Sequence, residues 1–222
     1  MPAAPPARPA VAEAVARDLL RIGAVTLRPS DPFTWASGRL APVYTDNRLT
    51  LSHPAVRGRI ADGLTALAGG VADVEAVSGT ATAGIAHGAL LADRLGLPFS
   101  YVRSSAKGHG KGNQIEGRVG EGQRVVLVED LVSTGGSVLG AAEALREAGG
   151  AVVAALAVFT YGLAEADRAF DAAGLPLSAL TDVETLARVA REDGALSDAD
   201  LDALAAWRRD PAAWSRERGG AG

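Results

Sequence analysis

Nine consecutive apolar residues, AVVAALAVF at 151–159, have few places to go in a folded chain. The run lacks the alternating polar positions of a half-exposed strand and is too short to span a membrane. It reads as a strand covered on both faces, which is the mark of a parallel sheet between helical layers. A second run, VVLVE at 125–129, lies one helix earlier. Residues 11–22 and 56–67 have apolar positions at helical intervals, the latter after Pro54, a favoured helix opener. EAVSG at 75–79, FSYVR at 99–103 and VYTDNR at 43–48 read as strands, and 85–95 and 138–148 as helices, the last ended by Gly149 and Gly150. Repeated strand and helix units imply an α/β fold, a mainly parallel sheet flanked by helices.

Two stretches resist a regular reading. Residues 104–123 contain KGHGKGNQIEG, in which Gly108, Gly110, Gly112 and Gly117 supply freedom and few apolar side chains supply anchorage, so a flexible loop that a ligand would order is expected. Residues 163–214 are alanine-rich and read as helical, with Asp182 as a cap and a further helix from about Asp198. The proline- and alanine-rich residues 1–10 are expected to fray, leaving 11–222 as one domain.

The formal charge of −4 over 222 residues gives no general attraction for nucleic acid or an anionic membrane, so any anion site must be local. The absence of cysteine excludes a thiol nucleophile and a cysteine metal cluster. MPAAPPARPA has no basic start followed by an apolar segment, and no apolar run reaches the roughly 18 residues of a span, so a soluble cytoplasmic protein is expected.

The chemistry concentrates in VVLVEDLVSTGGSVLGA at 125–141, a strand, two acids, a turn and a small-residue helix. Backbone N–H groups at such a helix start attract anions, Gly135 and Gly136 permit close approach, and Ser133, Thr134 and Ser137 add hydroxyl donors. The spacing is neither that of a P-loop nor GxGxxG, and the turn alone fits a simple capped turn equally well. Glu129 and Asp130 should repel a phosphate seated beside them. A sugar phosphate resolves the conflict, with the acids accepting from sugar hydroxyls and the turn holding the phosphate.

This stretch resembles the PRPP-binding signature of the type I phosphoribosyltransferases, hydrophobic residues followed by two acids and a Thr-Gly turn. FTWASGRLAPVYTDNRLTLSHP at 33–54, SGTATAGIAHGALLA at 78–92 and YVRSSAKGHGKGNQIEG at 101–117 are similar, in content and order, to the branch of that family that uses orotate. The resemblance implies the type I phosphoribosyltransferase fold, with an N-terminal hood and a flexible catalytic loop. It also implies transfer of ribose 5-phosphate from PRPP to orotate, giving orotidine 5′-phosphate and pyrophosphate in pyrimidine (UMP) biosynthesis. Mg2+ would be carried mainly by PRPP and pyrophosphate. A homodimer would share its sites, the loop of one subunit closing over the other.

Carried over residue by residue, Arg103, Lys107 and His109 face pyrophosphate. Glu129, Asp130, Leu131, Val132, Ser133, Thr134, Gly135, Gly136 and Ser137 hold the ribose 5-phosphate, and Ser133, Tyr44 and Thr45 meet orotate. Lys107, His109 and Asp130 are the catalytic candidates, and no protein metal ligand is implied. The chain departs from many orotate enzymes at three cationic positions: Ala36 and Ser104 stand for lysines, and Tyr161 with Gly162 for an arginine that binds orotate. The carboxylate partner is therefore unassigned.

Away from these motifs, Trp207 and Trp214 read as structural, Trp35 as a core or interface aromatic, and Arg39 as solvated, while Arg48 is open between solvent and orotate. His53 reads as a helix-start residue and His87 receives no role. A purine-base transferase and a PRPP-sensing regulator are the alternatives. The 33–54 segment opposes the first, and the lack of spare length or a basic patch opposes the second.

Overall fold

The computed structural model describes residues 7–35, 37–104 and 114–222. In chain order it contains α1 (Pro9–Arg21), β1 (Val25–Leu27), β2 (Phe33–Thr34), β3 (Leu40–Ala41), β4 (Val43–Thr45), a 3-10 helix (Asn47–Ser52), α2 (Pro54–Ala68), β5 (Ala76–Thr80) and α3 (Gly84–Leu95). There follow β6 (Phe99–Val102), β7 (Ile115–Glu116), β8 (Arg124–Val132), α4 (Gly136–Glu147), β9 (Ala151–Thr160), α5 (Ala164–Ala172), β10 (Leu177–Asp182), α6 (Val183–Glu192), α7 (Asp198–Arg209) and α8 (Pro211–Arg216).

The main sheet has the order β10-β9-β8-β5-β6-β7, parallel except for the β6–β7 pair. β9 is buried from Val152 to Phe159, as its unbroken apolar run requires. One face packs Val126, Val128, Leu156 and Val158 against α1, α2 and α3, and the other packs Val125, Leu127 and Ala155 against α4 and α5.

Several expectations are corrected. α1 begins at Pro9, inside the stretch expected to fray. The strand expected over 43–48 stops at Thr45, because Asp46 accepts from Arg48 N at 3.2 Å and turns the chain into the 3-10 helix. β8 runs beyond the acids to Val132. The expected 104–123 loop returns to the sheet at β7, where Val102 pairs with Ile115. The C-terminal part is not wholly helical, since β10 adds a parallel edge strand beside β9. Asp182 does cap the next helix, accepting from Thr185 N at 2.7 Å.

The N-terminal elements lean over the carboxyl ends of the strands. Asn47 Nδ2 donates to the Asp130 carbonyl at 2.7 Å and Tyr161 Oη to Thr45 Oγ1 at 3.3 Å, joining this segment to the ends of β8 and β9. The C-terminal helices brace it from behind. Trp207 and Trp214 are buried, and Trp35 stacks on Tyr161 at 5.8 Å with Trp207 edge-on to both. Among the described residues no helix is long and apolar enough to cross a membrane.

Candidate active site

β5 pairs with β6 on one side and β8 on the other, so the chain reverses its direction of travel across the sheet between β5 and β8. A crevice at the carboxyl ends of two such strands is where open α/β sheets bind ligands. Each strand feeds a helix, and these two helices differ from the rest. α6, α7 and α8 are capped by the side chains of Asp182, Ser197 and Asp210. α1 and α2 open with proline, and α5 carries Glu165 and Asp167 in its first turn. Among the described helices, only α3 and α4 start with no cap, proline or acid.

No side chain caps either start, although the Ile85 N–H of α3 does reach the Thr82 carbonyl at 3.3 Å, and uncapped N–H groups at a helix start are the kind that attract anions. An anion at one helix start gains about 0.3–1 kcal/mol, and up to about 2 when partly buried. Two glycines make the arrangement possible. Gly135 caps α4 with φ +89°, and a Cβ there would meet Phe170 at 2.7 Å; at Gly84 a Cβ would lie 2.5 Å from the Val128 carbonyl, so the start of α3 presses directly on β8.

The acids sit between these helix starts but in unequal surroundings. Successive strand residues face opposite sides. Glu129 is buried against the start of α3, where its Oε1 accepts from Asp130 N at 3.0 Å. Asp130 is half-buried. Burial, reinforced by the hydrogen bond and like charge of the Asp130 carboxyl, pushes Glu129 up to about 9. The Thr80 hydroxyl opposes this shift weakly, lying near Glu129 but short of a hydrogen bond. Glu129 is thus held neutral near pH 7, which lessens the negative charge beside the 133–137 turn.

That neutrality gives a stability prediction. The unfolded chain releases this proton near the ordinary glutamate value of 4.5 and the folded chain near 9, so across that window the folded state binds more protons and loses stability as pH rises. Glu129→Gln keeps the shape without the ionisation. Its melting temperature is expected to exceed wild type by roughly 5–10 °C near pH 9, with the gap closing toward pH 5. Parallel melting curves across that range would show that Glu129 is not held neutral.

The surrounding residues complete one face of the crevice. Tyr44 is 47% exposed, and both it and Asp130 lie close enough to Arg48 to act on its charge. Burial pushes the Tyr161 phenol up to about 12, and burial lowers the pKa of His87, leaving both neutral near pH 7. At the end of β6, Arg103 Nη1 is buried and makes no hydrogen bond among the described residues, its 3.8 Å contact with Glu116 being too long to count as one. Arg48 closes on Asp46 at 2.6 and 3.0 Å and is two-thirds exposed. Glu129 to Val132 form the end of β8 and lead directly into the turn at 133–137, and Thr45 reaches the end of β9 through Tyr161; Lys107 and His109 lie outside the described residues.

Sequence reasoning missed Asn47, whose buried amide clasps the backbone of Asp130, and Thr80 beside Glu129. The polar DNR run after a strand was the available signal for Asn47. Among the described residues, no group of histidines and acids is placed to hold a metal ion.

Residues 60–173 match the family model described as "Phosphoribosyl transferase domain". The chain is 55% identical over 198 residues to the orotate phosphoribosyltransferase of Bacillus subtilis, covering 89% of this chain and 92% of that protein. It is 53% identical over 206 residues to the one from Cutibacterium acnes, covering 92% and 95%. Among solved structures, the orotate phosphoribosyltransferase of Aeropyrum pernix superposes with a TM-score of 0.70 at 35% identity, over 82% of this chain and 99% of that one.

Proposed function

The chain belongs to the orotate phosphoribosyltransferases, and on that premise we propose how its residues divide the transfer of ribose 5-phosphate from PRPP to orotate. The observation that carries the assignment is the pair of bare helix starts at adjacent strand ends, two anion subsites with the acids between them. The turn at 133–137 and the backbone of Leu131 and Val132 take the 5-phosphate end of PRPP, and the start of α3 with Arg103 takes pyrophosphate. Lys107 and His109 close over pyrophosphate from the partner subunit of a homodimer. Tyr44, Thr45 and Ser133 border the orotate ring.

In the reaction an orotate nitrogen bonds to C1 of the ribose as the C1–O bond breaks, pyrophosphate leaves with the electron pair, and the proton lost from that nitrogen passes to pyrophosphate or solvent. Positive charge grows on the sugar and negative charge on the leaving group. The Asp130 carboxyl stabilises the sugar, while neutral Glu129 engages a ribose hydroxyl without repelling the phosphates. Lys107, His109 and Arg103 stabilise the leaving group, and loop closure excludes the water that would hydrolyse PRPP. Mg2+ carried in on the phosphate oxygens would neutralise charge on pyrophosphate. The protein would work in the cytoplasm.

A panel of bases with PRPP and Mg2+ tests the reading. Orotate is expected to be turned over and adenine, guanine and hypoxanthine are not. Turnover of a purine without orotate would overturn it, and PRPP binding without turnover of any base would indicate a sensor.

A further inference from the structure

A cavity of about 320 Å³ opens beside Ser133 and Thr134, bounded by the start of α5 and the corner between α7 and α8. Four arginines line it, Arg39, Arg168, Arg208 and Arg209, against two acids, Glu165 and Asp210. We propose that Arg208 is the residue that holds the orotate carboxylate, reaching the site from α7. This rests on the orotate reading above.

A carboxylate taken out of water needs a charged partner with hydrogen-bond geometry. The end of β9 supplies none itself. The Tyr161 ring stacks in the aromatic cluster with its hydroxyl on Thr45, and Gly162 has no side chain. The space over Gly162 is instead filled by Arg208. A Cβ on Gly162 would lie 2.9 Å from Arg208 Nη2, and that nitrogen donates to the Gly162 carbonyl at 3.4 Å. The α7 helix is fixed there by the residue before it. Trp207 is fully buried, 5.4 Å from the Tyr161 ring and 6.2 Å from Trp35. An arginine from α7 thus reaches the strand end where the chain's own arginine is missing.

Arg208 also has donors to give. Its Nη1 pairs at 3.0 Å with Glu184, which is 77% exposed, so that contact is weak, and each terminal nitrogen carries a second N–H. The other cations are less suited. Arg48 is already closed on Asp46 by two hydrogen bonds. Arg168 and Arg209 are exposed, where water weakens each interaction, so they raise the positive potential of the cavity without fixing a ring. It is Arg208, 28% exposed, that packs on the strand end.

The test compares orotate with uracil, the same ring without the carboxylate, in the full-length protein. Arg208→Met, which keeps an apolar stem, is expected to raise the orotate KM roughly 10- to 100-fold. The PRPP KM, the melting temperature and the weak affinity for uracil should stay as in wild type, and Arg208→Lys should recover part of the loss. If the Met variant is unstable, the Lys variant reads the same ratio of orotate to uracil affinity. An unchanged orotate KM overturns the proposal. So does an equal loss for orotate and uracil, which a purely structural arginine would produce, or a selective loss that follows Arg48→Met instead. Wild-type protein that turns over no orotate would overturn the functional reading itself, before any variant is compared.

Discussion

Gly136→Asp is expected to abolish PRPP binding while leaving the unliganded protein at least as stable as wild type. Gly136 is the first residue of α4, its φ is not in the left-handed region, and a Cβ there meets nothing within 4 Å. The fold therefore accepts the side chain, and a carboxylate in the first turn favours the helix by about 0.3–1 kcal/mol. The same carboxylate occupies the place proposed for the 5-phosphate. Two unit charges about 4 Å apart repel by roughly 4 kcal/mol at an effective dielectric of 20, close to a thousandfold in affinity. Gly136→Asn has nearly the same size without the charge and should lose far less, on the order of tenfold. Calorimetric titration of PRPP with Mg2+, alongside melting curves without ligand, separates these effects. An Asp variant that binds PRPP as wild type does would remove the turn from the phosphate site.

How far the fold can be read from sequence follows from where its signals lie. β8 and β9 are legible because both faces are covered, which forces an unbroken apolar run. β10 is not, because Ser178 and Thr181 are buried polar residues and LSALTD at 177–182 has no such run; its strand geometry comes from the parallel ladder with β9. VYTDNR at 43–48 is half legible. The valine, tyrosine and threonine favour a strand, but the Asp46 carboxylate captures the Arg48 amide and ends it.

The site divides along the same line. The turn at 133–137 is legible because glycines, hydroxyls and a helix start are contiguous, so local chemistry carries the message. The charge state of Glu129 is not, since it depends on α3 pressing on β8 through Gly84, a contact between residues 45 apart in sequence. The apparent conflict between two acids and an anion turn is therefore smaller than the sequence suggests, because burial removes one of the charges. Arg208 is still less legible. It lies in a helix that reads as an ordinary charged surface, and only the packing of Trp207 on Tyr161 brings it to the strand end.

Lys107→Ala should reduce turnover by about 10²–10³-fold with PRPP affinity little changed, because the proposed interaction strengthens as pyrophosphate departs. An equally low turnover is expected for Asp130→Asn, for the opposite charge. If each loop serves the partner's acids, a hybrid dimer of the two variants contains one site with both lesions and one with neither. Random one-to-one mixing makes about half the dimers hybrid, so about one quarter of wild-type activity should return. Sites built within single chains would leave every site damaged, and activity would not recover although subunit exchange was demonstrated. The assay therefore distinguishes the two architectures by presence or absence of signal, and Lys107 is tested by the same mixture because only an intact loop from the Asp130→Asn subunit can restore the rate.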